Sequence, residues 1–459
     1  EYDILGRRSR IYNNDGLEVR YGYDALNRIS RIHYGNGVET AYTYDGDGNI
    51  RTLETKAGEN VLLSFAYRYD GNGNRTAKAG TQAALGGITS EITAGNNALD
   101  LSYNYDVRGQ LLEERRNGAS VCYAYDKAGN RIRKTDAQGE TRYLYNEKNQ
   151  LVEEESPADR KQFSYDRQGC IIEEKNAAGI RLFSYNSRHQ QTRVETETGS
   201  VQENRYDAEG LRFELLENGR RTSFVYHNGE LLQEEGREEQ GTSYHLGAGM
   251  EAFRRGQDLS YYHRDEQLST VFVTDGHRNV QNSYQYDAFG MSLGTTEKLN
   301  NRIRYTGQQY DDVTGQYYLR ARYYNPVAGR FMQEDVYQGD GLNLYAYCGN
   351  NPVVYYDPSG YYTALGNLFT DSVIETKGNS TDLKIAILKM ITGDADISDA
   401  TVGSHQAQHL IPNEFRNNIA VSVSGYQVDH ALNGILDINR NSSTPGALDN
   451  FLRNYNVSA

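Results

Sequence analysis

The sequence predicts a mainly β protein built from repeated hairpins, followed by a small separate domain. The 459 residues include 39 Tyr and 46 Gly but no Trp. Aromatic residues favour pleated sheet, and glycine supplies the positive φ angles that tight turns require. A Tyr-Asp-x-x-Gly motif recurs through the first two-thirds, and the composition changes abruptly after Tyr361. We therefore expect many short strands and then a different fold.

The repeat has a nearly constant length. Its tyrosines lie 20 or 21 residues apart, at Tyr105, Tyr125, Tyr145, Tyr165, Tyr185 and Tyr206. Asn replaces Asp in the third and fifth of these copies. Such self-similarity indicates a repeat architecture in which each unit packs on its neighbours.

Each repeat is predicted to form one hairpin. The alternating segment 121–125 reads as a strand, and it runs into a turn in which Asp126 bonds its own backbone and Gly129 takes positive φ. A second strand follows, with Ile132 on one face and Arg131 and Arg133 on the other. Glutamate-rich second strands, such as 111–115, are assigned to a face in contact with water.

These residues resemble the tyrosine-aspartate (YD) repeats of Rhs proteins, insecticidal Tc toxin C components, wall-associated toxins and teneurins. The resemblance covers residues 1–361 and implies that residues 1–285 spiral into a hollow β-cocoon shell enclosing a cargo. A small α or α+β effector domain, residues 362–459, would be that cargo. The alternative is a repeat sheet without a cargo role, as in a non-enzymatic cell-surface scaffold.

Residues 286–361 resemble the Rhs-associated core. The resemblance is carried by the segments 304–315, 317–326, 329–331, 341–345, 350–352 and 357–361. In that family, self-cleavage is attributed to two aspartates in Asp-Pro-x-Gly boxes that are separated by 18 residues. The second box here is 357–360, and the first falls on 335–338, which keeps the Asp but lacks the Pro and Gly.

The resemblance implies an aspartyl autoprotease with Asp335 and Asp357 as catalytic residues and the scissile bond between Tyr361 and Tyr362. Of two carboxylates at close range, one keeps its proton, so the pair can activate water and protonate the leaving group. No cofactor is expected for the shell or the autoprotease. The alternative is that both are turn aspartates. Arg330 either supplies a nearby positive charge or continues a strand.

The terminal domain is predicted to contain an amphipathic helix at 381–392 and another near 447–455. Its segments 405–412 and 429–435 resemble the Ala-His-His branch of the HNH nucleases. The resemblance implies that His409 is the general base and Asn433 its support, with Asp429 near a divalent Mg²⁺ or Zn²⁺ ion.

This terminal domain departs from the nuclease pattern at the metal site. Gln408 replaces the first His of the pair, and no His follows residue 430. His405 or His430 is therefore the candidate replacement ligand.

Other readings of the domain stay open. His405 and His409 have zincin ligand spacing, but Gln406 stands where that mechanism needs Glu. His409 and Asn433 are alternatively packing or capping residues, or the domain is another enzyme, such as a deaminase or a nucleotide-modifying transferase. The formal charge of −14 argues against a chain-wide nucleic-acid surface.

The resemblance also implies partners and a location. Expected partners are the chain's own toxin domain, a cognate immunity protein, a nucleic-acid substrate, and secretion machinery or a chaperone. We expect a secreted, extracellular or cell-surface protein whose effector acts in the target-cell cytoplasm. No apolar run approaches the ~20 residues of a membrane-spanning helix.

Overall fold

In the computed structural model, the described residues are 1–83, 98–236, 240–336 and 343–365, with the backbone of two short strands at 405–407 and 436–438. The chain divides into two compact units, Glu1–Asn367 and Leu368–Ala459.

The first unit contains one 27-stranded sheet in which each strand pairs antiparallel with the next strand along the chain. This confirms the predicted mainly β, repeat-hairpin fold. The strands are β1 (Arg10–Tyr12), β2 (Glu18–Tyr23), β3 (Ile29–Tyr34), β4 (Val38–Tyr44), β5 (Ile50–Ala57), β6 (Asn60–Tyr69), β7 (Arg75–Gln82), β8 (Ala98–Tyr105), β9 (Leu111–Arg116), β10 (Ala119–Tyr125), β11 (Arg131–Asp136), β12 (Gly139–Tyr145), β13 (Leu151–Glu155), β14 (Arg160–Tyr165), β15 (Ile171–Asn176), β16 (Gly179–Tyr185), β17 (Gln191–Glu195), β18 (Val201–Tyr206), β19 (Arg212–Glu217), β20 (Arg220–His227), β21 (Glu230–Glu235), β22 (Thr242–Leu246), β23 (Met250–Arg255), β24 (Asp258–Arg264), β25 (Thr270–Asp275), β26 (Val280–Tyr286) and β27 (Ser292–Glu297).

A β-bulge stands beside the tyrosine of each repeat. In β10 and β11, Ala124 pairs with Arg133 while Tyr125 pairs with Arg131, so Ile132 is an extra residue. The bulge reverses the alternation. Arg131 is consequently buried, whereas Ile132 is 41% exposed. The prediction that Arg131 and Arg133 share a face was therefore wrong.

The prediction that the glutamates of the second strands face water was wrong for one glutamate in each strand. Each of these strands turns one glutamate into the interior, at Glu114, Glu154, Glu174, Glu214 and Glu234. Some are matched by a cation on the next strand: Glu154 lies opposite Lys161, and Glu174 lies opposite Arg181. The interior face thus carries compensated charge as well as aromatic rings.

The repeat tyrosines bind neighbouring hairpins together. Their rings are largely buried, and most of their hydroxyls donate to a backbone carbonyl in an earlier repeat, although the Tyr185 hydroxyl is buried without a partner. The pairs are Tyr23 to Arg8, Tyr44 to Ile29, Tyr69 to Ile50, Tyr105 to Arg75, Tyr125 to Leu111, Tyr145 to Arg131, Tyr206 to Gln191 and Tyr286 to Thr270.

The repeat aspartates fix the turns, as predicted. Asp126 Oδ1 accepts hydrogen bonds from the backbone N–H groups of Ala128 at 2.8 Å and Asn130 at 2.9 Å. Gly129 has φ +78°. Asn146 makes the same pair of bonds in a repeat without Asp, because its amide oxygen is an equivalent acceptor.

The sheet is wound so that its first strands lie against its last ones. The Tyr21 hydroxyl on β2 donates to Glu251 on β23 over 2.9 Å, and the Tyr67 hydroxyl on β6 donates to Glu266 over 2.7 Å. Arg75 on β7 also pairs with Glu266, at 2.8 Å. These buried polar contacts join residues about 200 positions apart.

After β27 the chain forms a compact core segment of very short strands. These are β28 (Gln309–Asp311), β29 (Gln316–Tyr318), β30 (Tyr323–Asn325) and β31 (Arg330–Phe331), then β32 (Tyr355–Tyr356) paired with β33 (Ala364–Leu365). The segment packs on the YD turns: Asn351 bonds Asn74, Asn350 bonds the Gly129 carbonyl, Arg330 bonds the Asn149 carbonyl and Tyr345 bonds the Gly169 carbonyl. It therefore fastens several repeats at their turn ends.

In the second unit, the described residues are two strands, β34 (His405–Ala407) and β35 (Leu436–Ile438). They pair antiparallel, with Ala407 opposite Leu436. The predicted helices at 381–392 and 447–455 lie outside the described residues.

Candidate functional site

Asp335 and Asp357 are brought together on either side of one guanidinium group. Both carboxylates are buried, Asp335 just beyond β31 and Asp357 directly after β32. Arg322 Nη2 lies 2.7 Å from Asp335 Oδ2 and 3.6 Å from Asp357 Oδ2. Both distances are measured from the same nitrogen, so the two carboxylate oxygens cannot be farther apart than the sum of these two distances.

Arg322 is the positive charge of this site, and the sequence did not single it out. It lies beside β30 and is buried, with its guanidinium carbon 3.6 Å from the centre of the Phe331 ring. Arg330, the residue considered in the sequence, lies in β31 and reaches the YD turns, with a hydrogen bond to the Asn149 carbonyl. In sequence the two arginines look alike, since Arg322 directly precedes one short strand of the core and Arg330 begins another.

Asp357 also shapes the peptide that follows it. Its Oδ1 accepts the backbone N–H groups of Ser359 at 3.0 Å and Gly360 at 2.7 Å. Gly360 has φ +79°, and a Cβ at this position would stand 2.6 Å from the Leu319 carbonyl oxygen. The turn therefore requires glycine for its conformation and for its close approach to Leu319.

Three consecutive residues hold the peptide that precedes the expected scissile bond. Arg320 Nη1 donates to the Pro358 carbonyl, the Ala321 backbone N–H donates to the Ser359 carbonyl at 3.1 Å, and Arg322 Nε donates to the Gly360 carbonyl. The bond between Tyr361 and Tyr362 then lies in the loop between β32 and β33. The peptide is thus fixed on the amino side of this bond.

Tyr361 lies at the mouth of the site. This residue, which precedes the expected scissile bond, is 42% exposed. Burial of the rest of the ring, together with the negative charge of Asp335, raises the pKa of the Tyr361 hydroxyl, and Arg322 opposes that shift. Tyr361 therefore lies close enough to Asp335 and Arg322 for both charges to act on its hydroxyl.

This arrangement has the elements of acid–base hydrolysis. Two carboxylates and one guanidinium leave a net negative charge, so binding one proton makes the group neutral. The protonated carboxyl can then serve as an acid and the other carboxylate as a base. The peptide that is held by these arginines ends one residue before the expected scissile bond.

The predicted effector residues lie largely outside the described part of the chain. His409, Asn433, Asp429, Gln408 and His430 are not among the described residues. His405 begins β34, of which only the backbone is described.

Within the described ranges, no cluster of three or more His, Cys, Asp or Glu side chains is arranged to hold a metal ion. No described helix has the length and apolar character needed to cross a membrane.

Residues 81–353 match the family model of the teneurin YD-shell, and residues 2–39 match the RHS repeat. The tRNA3(Ser)-specific nuclease WapA of Bacillus spizizenii is 37% identical over 180 residues, which are 35% of this chain and 8% of that protein. Double-stranded DNA deaminase toxin A of Burkholderia cenocepacia is 32% identical over 117 residues, 24% of this chain and 8% of that protein.

Among solved structures, the crystal structure of TcdB2-TccC3 is similar with a TM-score of 0.40 and 16% sequence identity. The match covers 78% of this chain and 24% of that one. The chain thus spans a small part of each of these known proteins.

Proposed function

The chain belongs to the teneurin YD-shell family, and from that premise we propose that it is part of a secreted toxin that cuts its own effector free. Residues up to Tyr361 form the shell and the core, and residues from Tyr362 form the effector. The observation that carries the proposal is the meeting of Asp335, Asp357 and Arg322 at a peptide fixed beside them. The effector is the cargo of the shell in this proposal, and a cognate immunity protein protects the producer.

In the proposed reaction, one carboxylate of the pair takes a proton from a water molecule, whose oxygen adds to the Tyr361 carbonyl carbon. The bond from that carbon to the Tyr362 nitrogen then breaks. The protonated carboxyl of the pair gives its proton to the departing amine, so one water is consumed and a new carboxyl and a new amino terminus form.

Arg322 has two roles in this proposal. Its charge compensates two carboxylates that would otherwise repel each other in a buried place. Its Nε also fixes the Gly360 carbonyl, one residue before the bond to be cut. Replacement of Arg322 by Met would remove both effects, whereas Lys would restore the charge alone.

For the effector, we propose a metal-dependent nuclease of the HNH type that acts on nucleic acid. The pairing of Ala407 with Leu436 supports this. His409 follows Ala407 by two residues and Asn433 precedes Leu436 by three, so both candidates lie within three residues of this pair in the sequence. The similarity to a tRNA-specific nuclease supports the substrate class. His409 would take a proton from the attacking water and Asn433 would orient the imidazole. A divalent cation would stabilise charge on the phosphate.

A deaminase effector is the second candidate, and the similarity to the DNA deaminase toxin favours it. That similarity covers only 24% of this chain. A deaminase would convert a base without cutting the strand, so one incubation with nucleic acid distinguishes the two activities.

Self-cleavage is tested by Asp357→Asn. The substitution keeps an Oδ1 acceptor for the Ser359 and Gly360 N–H groups but removes one carboxylate, so we expect two bands from the parent on a denaturing gel and one from the variant. Asp312→Asn, at an exposed carboxylate of the same core segment, is the control and should cleave like the parent. Two bands from Asp357→Asn would exclude the aspartate pair.

The nuclease is tested with the full chain after self-cleavage. We expect Mg²⁺-dependent shortening of RNA or DNA that disappears with His409→Ala or with EDTA. His227→Ala, at the exposed last residue of β20, is the matched control. Base conversion without shortening would instead support the deaminase.

A further inference from the structure

Arg320 connects the wall of repeats to the peptide that is to be cut. Its Nε donates to the Gly229 carbonyl at 2.8 Å, and its Nη2 lies 2.9 Å from Glu230 Oε1. Gly229 lies in the turn of the β20–β21 hairpin, and Glu230 is the first residue of β21. The third nitrogen, Nη1, donates to the Pro358 carbonyl. One planar group therefore joins a shell hairpin to the cleavage segment.

The backbone of Arg320 is strained. Its φ is +64°, in the left-handed region that disfavours residues with a side chain. Such conformations persist where the surrounding structure fixes them, and they are concentrated at functional positions. In this conformation the Arg320 side chain extends between Gly229 and Pro358 and contacts both. A glycine at position 320 would relieve the strain but could not make these contacts.

We propose that Arg320 is a positioning residue that makes self-cleavage depend on docking of the β20–β21 hairpin against the core; this rests on the proposed autoprotease. The guanidinium is a rigid fork. With the hairpin docked, Gly229 and Glu230 fix two arms of the fork and thereby the arm that holds Pro358.

Without the hairpin, two of the three partners are lost and the Pro358 carbonyl is no longer held in place. Tyr361 lies three residues further along, so its carbonyl carbon would move relative to Asp335. Cleavage is sensitive to such displacement, because a shift of ~1 Å can slow a reaction by roughly a hundredfold. The arrangement ensures that the effector is cut free only after this part of the shell has closed.

Arg320→Gly tests the proposal because it separates positioning from stability. Glycine relieves the strain at φ +64° and removes all three contacts, so the fold should be retained while cleavage slows by at least roughly tenfold. The rate is measured by pulse-chase after cell-free synthesis of the full chain. Thermal unfolding is measured for each variant in the Asp357→Asn background, where every chain is uncleaved.

Arg278→Gly is the matched control. Arg278 also has positive φ, +72°, but lies in the exposed turn between β25 and β26. It should cleave at the parental rate. Parental cleavage by Arg320→Gly, or equal slowing in both variants, would overturn the proposal.

Glu230→Ala provides an independent variant, because it removes one arm of the fork from the wall side and leaves the core sequence intact. We expect a slower rate than the parent, with less slowing than in Arg320→Gly. If Arg320→Gly fails to fold, this variant decides, and a parental rate then contradicts the proposal. A parent chain that never cleaves would overturn the proposed autoprotease itself. Normal cleavage in both Arg320→Gly and Glu230→Ala would instead overturn only the role proposed for Arg320.

Discussion

At the scale of single residues, Asp311 shows how the core segment is fastened to the repeats. Its Oδ1 lies 3.0 Å from Arg212 Nη2 on β19 and 3.0 Å from Arg302 Nη1. The Asp311 and Arg212 side chains are fully buried. The two guanidinium groups therefore depend on this carboxylate, together with the glutamates beside Arg302, for compensation of their charge.

Asp311→Ala should consequently lower the free energy of unfolding by about 3–5 kcal/mol, because it leaves two buried guanidinium groups without their shared partner. Urea unfolding of the full chain measures this. Asp312→Ala is the neighbouring control. Its carboxylate is 42% exposed, and its ion pair with Arg304 should contribute under about 1 kcal/mol. Equal losses in the two variants would contradict the account.

The sequence motifs reveal the two aspartates of the site but not the arginines beside them. Asp335 and Asp357 were identified from their boxes, and the structure places them together. Arg320 and Arg322 could not be singled out, because they are distinguished by contacts with carbonyl groups about 38 positions away. Backbone carbonyls carry no sequence signal, so nothing distinguished these arginines from Arg330.

At the scale of the element, the repeat tyrosine does more than favour a strand. Its hydroxyl reaches the preceding hairpin, and the bulge beside it reverses the faces of the second strand. Periodicity predicted the strands and turns correctly. It failed for Arg131 and Glu114 because a one-residue bulge is invisible in an alternating pattern.

Tyr125→Phe tests the contribution of these hydroxyls. The Tyr125 hydroxyl donates to the Leu111 carbonyl at 2.9 Å, and phenylalanine leaves that carbonyl without this donor while preserving the ring. We expect a loss of about 1 kcal/mol in the free energy of unfolding. Tyr12→Phe, at a tyrosine that is 52% exposed, should change it little. An unchanged urea midpoint for Tyr125→Phe would show that the ring alone matters.

At the scale of the whole molecule, the contact between early and late strands contains buried acids. Burial and the charge of Glu114 raise the pKa of Asp287 to about 7. Burial and the charge of Glu266 raise the pKa of Asp265 to about 6. The folded chain therefore binds more protons than the unfolded chain between about pH 4 and pH 7, so these acids destabilise the fold as pH rises through that window.

Asp287→Asn should remove the part of this dependence that Asp287 contributes, because asparagine keeps the turn acceptor, as Asn146 does, but cannot ionise. Relative to the parent, the variant should gain stability between pH 5.5 and pH 8 by an amount on the order of 1 kcal/mol. Subtracting the unfolding free energy of the parent from that of the variant at each pH cancels the contributions of other titrating groups. One of these is His263, whose lowered pKa makes its contribution to stability rise with pH. A difference independent of pH would refute the assignment.

The most direct test of the central claim is the intact mass of the purified full chain under denaturing conditions. Self-cleavage by the aspartate pair predicts two masses, for residues 1–361 and 362–459, whose sum exceeds the uncleaved mass by one water. It also predicts one uncleaved mass for Asp357→Asn. A single full-length mass from the parent, or a cut at another bond, would contradict the account.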